Sequence, residues 1–114
     1  MARSETQGAV LPPAEAVVLA SLVDYAPGAV VSRALVQSKP GSLTLFAFDA
    51  GQGLSEHTTP YDAHVLVLEG EVRLTIGGQA VPVRAGEVVR MPAGVPHAVE
   101  ARCRMKMLLL MIRG

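Results

Sequence analysis

The sequence contains very little cysteine and few aromatic residues. Among its 114 residues there is one cysteine, Cys103, no tryptophan, two phenylalanines and two tyrosines. A single cysteine excludes an intramolecular disulfide and a zinc site built from several thiolates. No base is placed beside Cys103 by a recognisable spacing, so we expect a buried structural thiol and not a nucleophile.

An excess of either charge is also lacking. Lysine plus arginine and aspartate plus glutamate each number ten. The sequence has no basic run and no cluster of aromatic residues, so it shows no pattern typical of binding to nucleic acid or to an anionic membrane. The longest early apolar stretch, residues 16–23, is too short to span a bilayer and has no basic flank. We therefore expect a cytoplasmic protein without a nucleic-acid or membrane partner.

What the sequence does have is hydrophobic residues, which make up half of the chain. That share is sufficient for the core of one domain without metal or disulfide support. Residues 1–14 predict a flexible N-terminal arm, because polar residues, Gly8 and a Pro-Pro pair disfavour a helix. We expect residues 15–114 to form a single domain, in which segment 16–24 fits either a short helix or a strand.

Short strands separated by turns are predicted for the rest of the chain. Residues 42–49 are apolar on both faces, which is typical of a strand that is covered on both sides. Residues 71–76 alternate between apolar and polar, and Gly77-Gly78 then predicts a two-residue hairpin. The absence of a long helix favours an all-β barrel or sandwich. The other strands are predicted at residues 29–37, 63–69, 79–83, from His97, and 106–112.

Two stretches carry glycine, proline and histidine at spacings that resemble the two signature motifs of the cupin superfamily. The first motif, G-x5-H-x-H-x3-E-x6-G, is matched by Gly51, His57 and Gly70. Thr59 stands where the motif has its second histidine, and Ala63 stands where it has glutamate. The chain therefore keeps the spacing of the motif but lacks two of its metal-ligating side chains.

The second motif, G-x5-P-x-G-x2-H-x3-N, is matched by Gly86, Pro92, Gly94 and His97, with Ala101 at the final position. The stretches SRALV, LFAFDAGQGLSEHTTPYDAH and MPAGVPHA further resemble small, stand-alone bacterial cupins with no settled activity. That group also has Thr and Ala at the two altered ligand positions. The resemblance implies a single-domain cupin-type double-stranded β-helix, which is a jelly-roll barrel.

The resemblance also implies that the two motif histidines converge in the barrel mouth. We expect a pocket formed by His57, Thr59, Tyr61, Ala63 and His97. His57 is predicted in a polar loop before the strand at 63–69, and Tyr61 at the mouth. His57 and His97 are the candidate ligands of one weakly held divalent transition metal (Fe, Mn, Ni or Zn). Such a site is incomplete, because mononuclear zinc and iron centres normally have three protein ligands.

No neighbouring residue replaces the missing ligand in a regular strand. Asp62 and His64 flank Ala63, and Glu56 precedes His57, so their side chains point to the opposite face unless a β-bulge intervenes. We expect His64 to face outward at an interface. Four methionines, Met91, Met105, Met107 and Met111, are predicted as adaptable core residues, some of which line an apolar ligand cavity.

Cupins commonly form homodimers, and the strands at 43–48 and 105–112, apolar on both faces, favour a partner subunit as their outer cover. Three functions follow in order of preference. The first is a module that binds a small molecule in the barrel, as sensor, carrier or metal-free catalyst. The second is a metal-dependent enzyme, oxygenase- or isomerase-like, with a reduced two-histidine ligand set. The third is a structural dimer with a vestigial pocket. The sequence identifies no catalytic residue.

Overall fold

The computed structural model of the chain describes residues 3–7 and 11–113, and for residues 3–7 the backbone alone. Within these ranges the chain forms ten strands and one short 3-10 helix. The helix spans Leu19–Leu22. The strands are β1 (Arg3–Gln7), β2 (Ala29–Gln37), β3 (Gly41–Phe48), β4 (Gly53–His57), β5 (Asp62–Glu69), β6 (Glu71–Ile76), β7 (Gln79–Arg84), β8 (Val88–Met91), β9 (His97–Glu100) and β10 (Met105–Ile112).

The strands form two facing sheets, and the architecture is an all-β jelly-roll barrel, as the sequence predicted. The larger sheet has the order β1-β2-β3-β10-β5-β8, and the smaller one has the order β4-β9-β6-β7. Strands β6 and β7 form the predicted hairpin, in which Ile76 pairs with Gln79. Gly77 and Gly78 between them have φ values of 57° and 82°, which a type I′ turn requires and glycine adopts without strain.

The N-terminal region contains one strand. Arg3–Gln7 form β1, which pairs in parallel with β2. The flexible arm over residues 1–14 stays a prediction, and residues 1, 2 and 8–10 lie outside the described ranges. The ambiguous segment 16–24 contains the 3-10 helix. No helix among the described residues is long and apolar enough to cross a membrane.

Strand β3 contributes to two separate apolar clusters, as its two-faced pattern predicted. Phe48 is fully buried between the sheets, and Phe46 packs against the same core. Leu45 and Ala47 are buried on the outer face of the larger sheet, against which Leu22 packs. Part of the outer cover that the sequence assigned to a partner subunit is therefore supplied by the chain itself, through residues 19–25.

Lys106 fastens this covering segment to the sheet. Its side chain is buried, and its Nζ donates a hydrogen bond of 2.7 Å to the carbonyl oxygen of Ala20. The same ammonium lies 5.0 Å from the ring centroid of Tyr25. The Tyr25 hydroxyl donates to Glu69 at 2.9 Å, and burial, reinforced by this carboxylate, raises the pKa of Tyr25. Residues 19–25 are thus held by polar contacts at the edge of an apolar patch.

Candidate ligand pocket

A cavity of about 250 Å³ lies inside the barrel between the two sheets. All five residues of the predicted pocket line it. Eight of its twelve lining residues are apolar, and the four polar ones are two histidines, a threonine and a tyrosine. The lining residues are Phe46, Leu54, His57, Thr59, Tyr61, Ala63, Met91, His97, Val99, Met107, Leu109 and Met111.

The two histidines lie on adjacent strands of the smaller sheet. His57 is the last residue of β4 and pairs with His97, the first residue of β9, after an irregularity in β4 between Leu54 and His57. The prediction that His57 lies in a loop is therefore wrong. The ring centroids are 4.3 Å apart with the rings at 71°. His97 is buried and His57 is exposed, so the pair extends from the interior to the mouth of the cavity.

Backbone carbonyl groups fix the tautomer of both rings. Nδ1 of His57 lies 2.7 Å from the carbonyl oxygen of Ser55, and Nδ1 of His97 lies 3.3 Å from that of Val95. A carbonyl oxygen only accepts hydrogen bonds, so each Nδ1 donates a proton to it. In the neutral rings, each Nε2 consequently keeps a lone pair for a hydrogen-bond donor or a metal ion.

The two positions with altered ligands have different surroundings. The hydroxyl oxygen of Thr59 accepts a hydrogen bond of 3.2 Å from the backbone N–H of Tyr61, and the Thr59 carbonyl accepts one of 2.9 Å from Gly94. Thr59 therefore connects the loop before β5 to the loop of the second motif. The Tyr61 ring lies 5.9 Å from the guanidinium carbon of Arg113.

Ala63 belongs to the larger sheet and faces the cavity, where it is 1% exposed. Its cross-strand neighbours are Met111 on β10 and Met91 on β8, and both also line the cavity. The wall that would carry the glutamate of the motif is therefore apolar. The methionines agree with the prediction of core residues, some of which line a cavity. Met91 and Met107 are buried and line the cavity, whereas Met105 is buried but does not line it.

None of the three flanking polar residues replaces the missing ligand, because Glu56, Asp62 and His64 do not line the cavity. The Asp62 carboxylate accepts hydrogen bonds from the Ala93 N–H at 2.9 Å and from Arg90 at 3.2 Å. These bonds, the first above all, hold the pKa of Asp62 below its usual value. Nδ1 of His64 is buried without a hydrogen-bond partner among the described residues.

A divalent metal centre of the usual kind does not fit this donor set. Within residues 3–7 and 11–113, no group of three or more histidine, cysteine, aspartate or glutamate side chains is placed to hold a metal ion. Two imidazoles without a carboxylate fall short of the three ligands that mononuclear zinc and iron normally have. The weakly held divalent metal on His57 and His97 stays a prediction.

Cys103 lies outside the cavity and is exposed, so the prediction of a buried thiol is wrong. Its Sγ lies 3.7 Å from the carbonyl oxygen of Glu71. Sequence reasoning also did not identify Phe46, Leu54, Val99 and Leu109 as pocket residues. Phe46 and Leu109 lie in strands that are apolar on both faces, and Leu54 lies in a strand that was not predicted. The side of each strand that faces the cavity depends on pairing between distant strands.

Burial, more than the neighbouring His57, lowers the pKa of His97 below its ordinary 6.5. On acidification the unfolded chain therefore takes up the His97 proton before the folded chain does, and the stability that neutral His97 contributes is lost. We expect the free energy of unfolding to be highest above pH 6.5 and to fall as the pH drops through the lower pKa of the folded state. Urea denaturation between pH 8 and pH 5 measures this slope, and an equal slope in His97→Gln would contradict the assignment.

Asp62 positions the loop that precedes His97, because it binds the backbone of Ala93 from the neighbouring strand β5. We expect Asp62→Ala to lower the melting temperature and to weaken any ligand that contacts His97. Asp24→Ala is the matched control, since Asp24 is exposed and does not line this cavity. If both variants melt at the temperature of the wild type, Asp62 does not hold the loop.

Comparison with known proteins places these features in a family. The model of the cupin domain matches residues 44–113. A conserved protein of unknown function from Streptococcus pyogenes shares 34% identity, with 91% of each chain covered and a TM-score of 0.86. A cupin superfamily protein from Desulfitobacterium hafniense shares 33% identity, over 91% of this chain and 95% of that one, with a TM-score of 0.86. An uncharacterised protein from Streptomyces coelicolor is 38% identical over 56 residues, which are 49% of this chain and 53% of that protein.

Proposed function

The chain belongs to the cupin domain family, and from this premise we propose that its barrel binds a small organic molecule. The observation that carries the proposal is the cavity of about 250 Å³, in which a few polar groups converge on an apolar wall. This combination is typical of pockets for small molecules. Of the similar solved structures, the Streptococcus pyogenes protein is of unknown function and the Desulfitobacterium hafniense protein is named only by its superfamily.

The polar groups of the cavity indicate which hydrogen-bonding groups the ligand carries. Each histidine presents an Nε2 lone pair, because its Nδ1 already donates to a carbonyl oxygen. We therefore expect the ligand to carry an O–H or N–H group that donates to His97 or His57. The eight apolar lining residues favour a largely apolar body for the rest of the molecule.

A second, more polar groove adjoins the cavity and favours an anionic or polar end group on the ligand. Tyr61 and Met111 line both spaces, and Ser38 and Lys39 line only the groove. Arg113 lies beside it, since its guanidinium is over the Tyr61 ring and its backbone N–H donates to Pro40. A small weak acid with an apolar body fits both spaces.

The experiment is a thermal-shift screen of small weak acids and their neutral analogues, using the purified protein and two matched variants. Ala63→Leu fills the cavity, whereas Ala80→Leu adds the same atoms at an exposed position on β7. We expect ligands to raise the melting temperature of the wild type and of Ala80→Leu but not of Ala63→Leu. An equal rise in all three proteins would place binding outside the barrel, and no shift with any compound would contradict the proposal.

The homodimer expected from the sequence is also a proposal. Val88 and Ile112 lie on the outer side of the larger sheet, where Val88 pairs with Leu66 and Ile112 pairs with Asp62. Their side chains are 62% and 45% exposed. Apolar side chains left exposed on a sheet face are typical of subunit contacts. Light scattering should give the mass of a dimer for the wild type and of a monomer for Val88→Lys, and a monomeric wild type would refute the proposal.

A further inference from the structure

Three methionine thioethers share the cavity with the two imidazoles. Met91, Met107 and Met111 line the space that His57 and His97 also line. Thioether sulfur and imidazole nitrogen together form a soft donor set, unlike the histidine and carboxylate set of the cupin motif. The methionines contribute to the apolar wall, and their sulfur atoms add a metal-binding chemistry that the two-histidine description leaves out.

Strand register places two of these methionines at the position of the missing carboxylate. Ala63 pairs with Met111 on one side and with Met91 on the other, so the three residues form one row across the larger sheet. Adjacent strands are about 4.8 Å apart, which puts the two methionine Cα atoms about 10 Å apart with only the methyl group of Ala63 between them. Methionine has three rotatable side-chain bonds, so both thioethers can reach the space above Ala63.

Charge selects which metal fits such a site. A divalent ion on two neutral imidazoles and two thioethers would keep its full double charge inside an apolar cavity. The cost of burying an ion rises with the square of its charge, so a monovalent ion is favoured where no carboxylate is present. Cu(I) is monovalent and prefers soft sulfur and nitrogen ligands.

We propose that the cavity binds Cu(I) through Nε2 of His57 and His97 and through Sδ of Met91 and Met111. Both imidazoles are prepared for this role, because Nδ1 of each is held by a backbone carbonyl and Nε2 is the free nitrogen. The copper site does not depend on the proposed organic ligand, but Cu(I) and that ligand would both bind the Nε2 atoms of the two histidines. Copper and the ligand therefore compete.

The test is an anaerobic titration with Cu(I), in competition with a colorimetric chelator, in a Cys103→Ser background. The background is necessary because the exposed Cys103 thiol is itself a copper ligand. Met91→Leu/Met111→Leu removes both sulfur atoms while conserving side-chain volume, a change that cores tolerate well. Met105→Leu is the matched control, since Met105 lies on the same strand as Met111 but does not line the cavity.

We expect one Cu(I) per chain, and about 100-fold weaker binding in the double variant, since loss of even an outer-shell partner costs 10–100-fold. Binding should be unchanged in Met105→Leu, and X-ray absorption should show copper–sulfur scattering that the double variant lacks. Unchanged affinity in the double variant, or preference of the wild type for Zn(II), would overturn the proposal. If the double variant does not fold, Met111→Leu alone supplies the same comparison at a half-buried position.

Copper binding and ligand binding are measured separately, so the failure of one does not decide the other. The thermal-shift screen is run without copper, and the Cu(I) titration is run without an organic ligand. Failure of the wild type to bind one Cu(I) per chain would overturn the copper site, whatever the thermal-shift screen shows.

Discussion

Replacement of Gly70 with alanine is expected to lower the free energy of unfolding by about 2–5 kcal/mol, from backbone strain and overpacking together. Gly70 has a φ of 74°, in the left-handed region that side chains disfavour. An alanine Cβ there would also collide with the carbonyl oxygen of Arg104 and lie 3.0 Å from the Cβ of Met105. Because Gly70 joins β5 to β6, and thus one sheet to the other, neither neighbour moves away without disturbing the core.

Gly78→Ala is the matched control for this prediction. Gly78 has a similar φ of 82°, but a Cβ at this position meets nothing within 4 Å. Gly78→Ala should therefore lower the free energy of unfolding through backbone strain alone, by about 1–2 kcal/mol. Urea denaturation of both variants measures the difference. Equal losses would show that the contact with Arg104 is unimportant and that backbone strain alone accounts for glycine at this position of the motif.

Restoring the two altered motif positions is expected to create a divalent metal site. Thr59→His together with Ala63→Glu adds a third imidazole and a carboxylate beside His57 and His97, because all four positions line one cavity. Four protein ligands exceed the three that a mononuclear centre needs. We expect Zn(II) or Mn(II) to bind at one equivalent per chain in elemental analysis, with an affinity about 100-fold above that of the wild type.

The single variant Ala63→Glu tests the reason for this expectation. It places a carboxylate on an apolar wall where Ala63 is 1% exposed, and without metal it should destabilise the fold by about 2 kcal/mol or more. Ala80→Glu, at an exposed position, should leave stability and metal content unchanged. If the double variant folds and takes up no more metal than the wild type, the barrel no longer holds these positions at the geometry of the motif.

The elements that the sequence predicted well are those with local signals. The limits of β2 at Ala29–Gln37 agree with the prediction, and the hairpin between Ile76 and Gln79 follows from a Gly-Gly turn whose conformation only glycine adopts readily. Strand β4 was missed because four of its five residues are exposed, which leaves Leu54 as its only apolar signal. A short polar segment that follows two glycines is typical of a loop, and only its pairing with β9 identifies it as a strand.

The candidate site was predictable only in part for the same reason. Motif spacing was sufficient to select His57 and His97, which the structure places side by side. The row formed by Met111, Ala63 and Met91 depends on the register of three strands that are far apart in the chain. Register of this kind is set by tertiary packing, so no pattern within 114 residues reveals that the methionines flank the altered position.

The two kinds of donor in the cavity lie on opposite sheets. His57 and His97 belong to the smaller sheet, whereas Ala63, Met91 and Met111 belong to the larger one. An occupant that contacts both walls is therefore a cross-link between two layers that otherwise meet through apolar packing. Strands β4 and β8 belong to different sheets and share no hydrogen bond. Binding of such an occupant should nevertheless slow amide hydrogen exchange in both strands, because it stabilises the two sheets together.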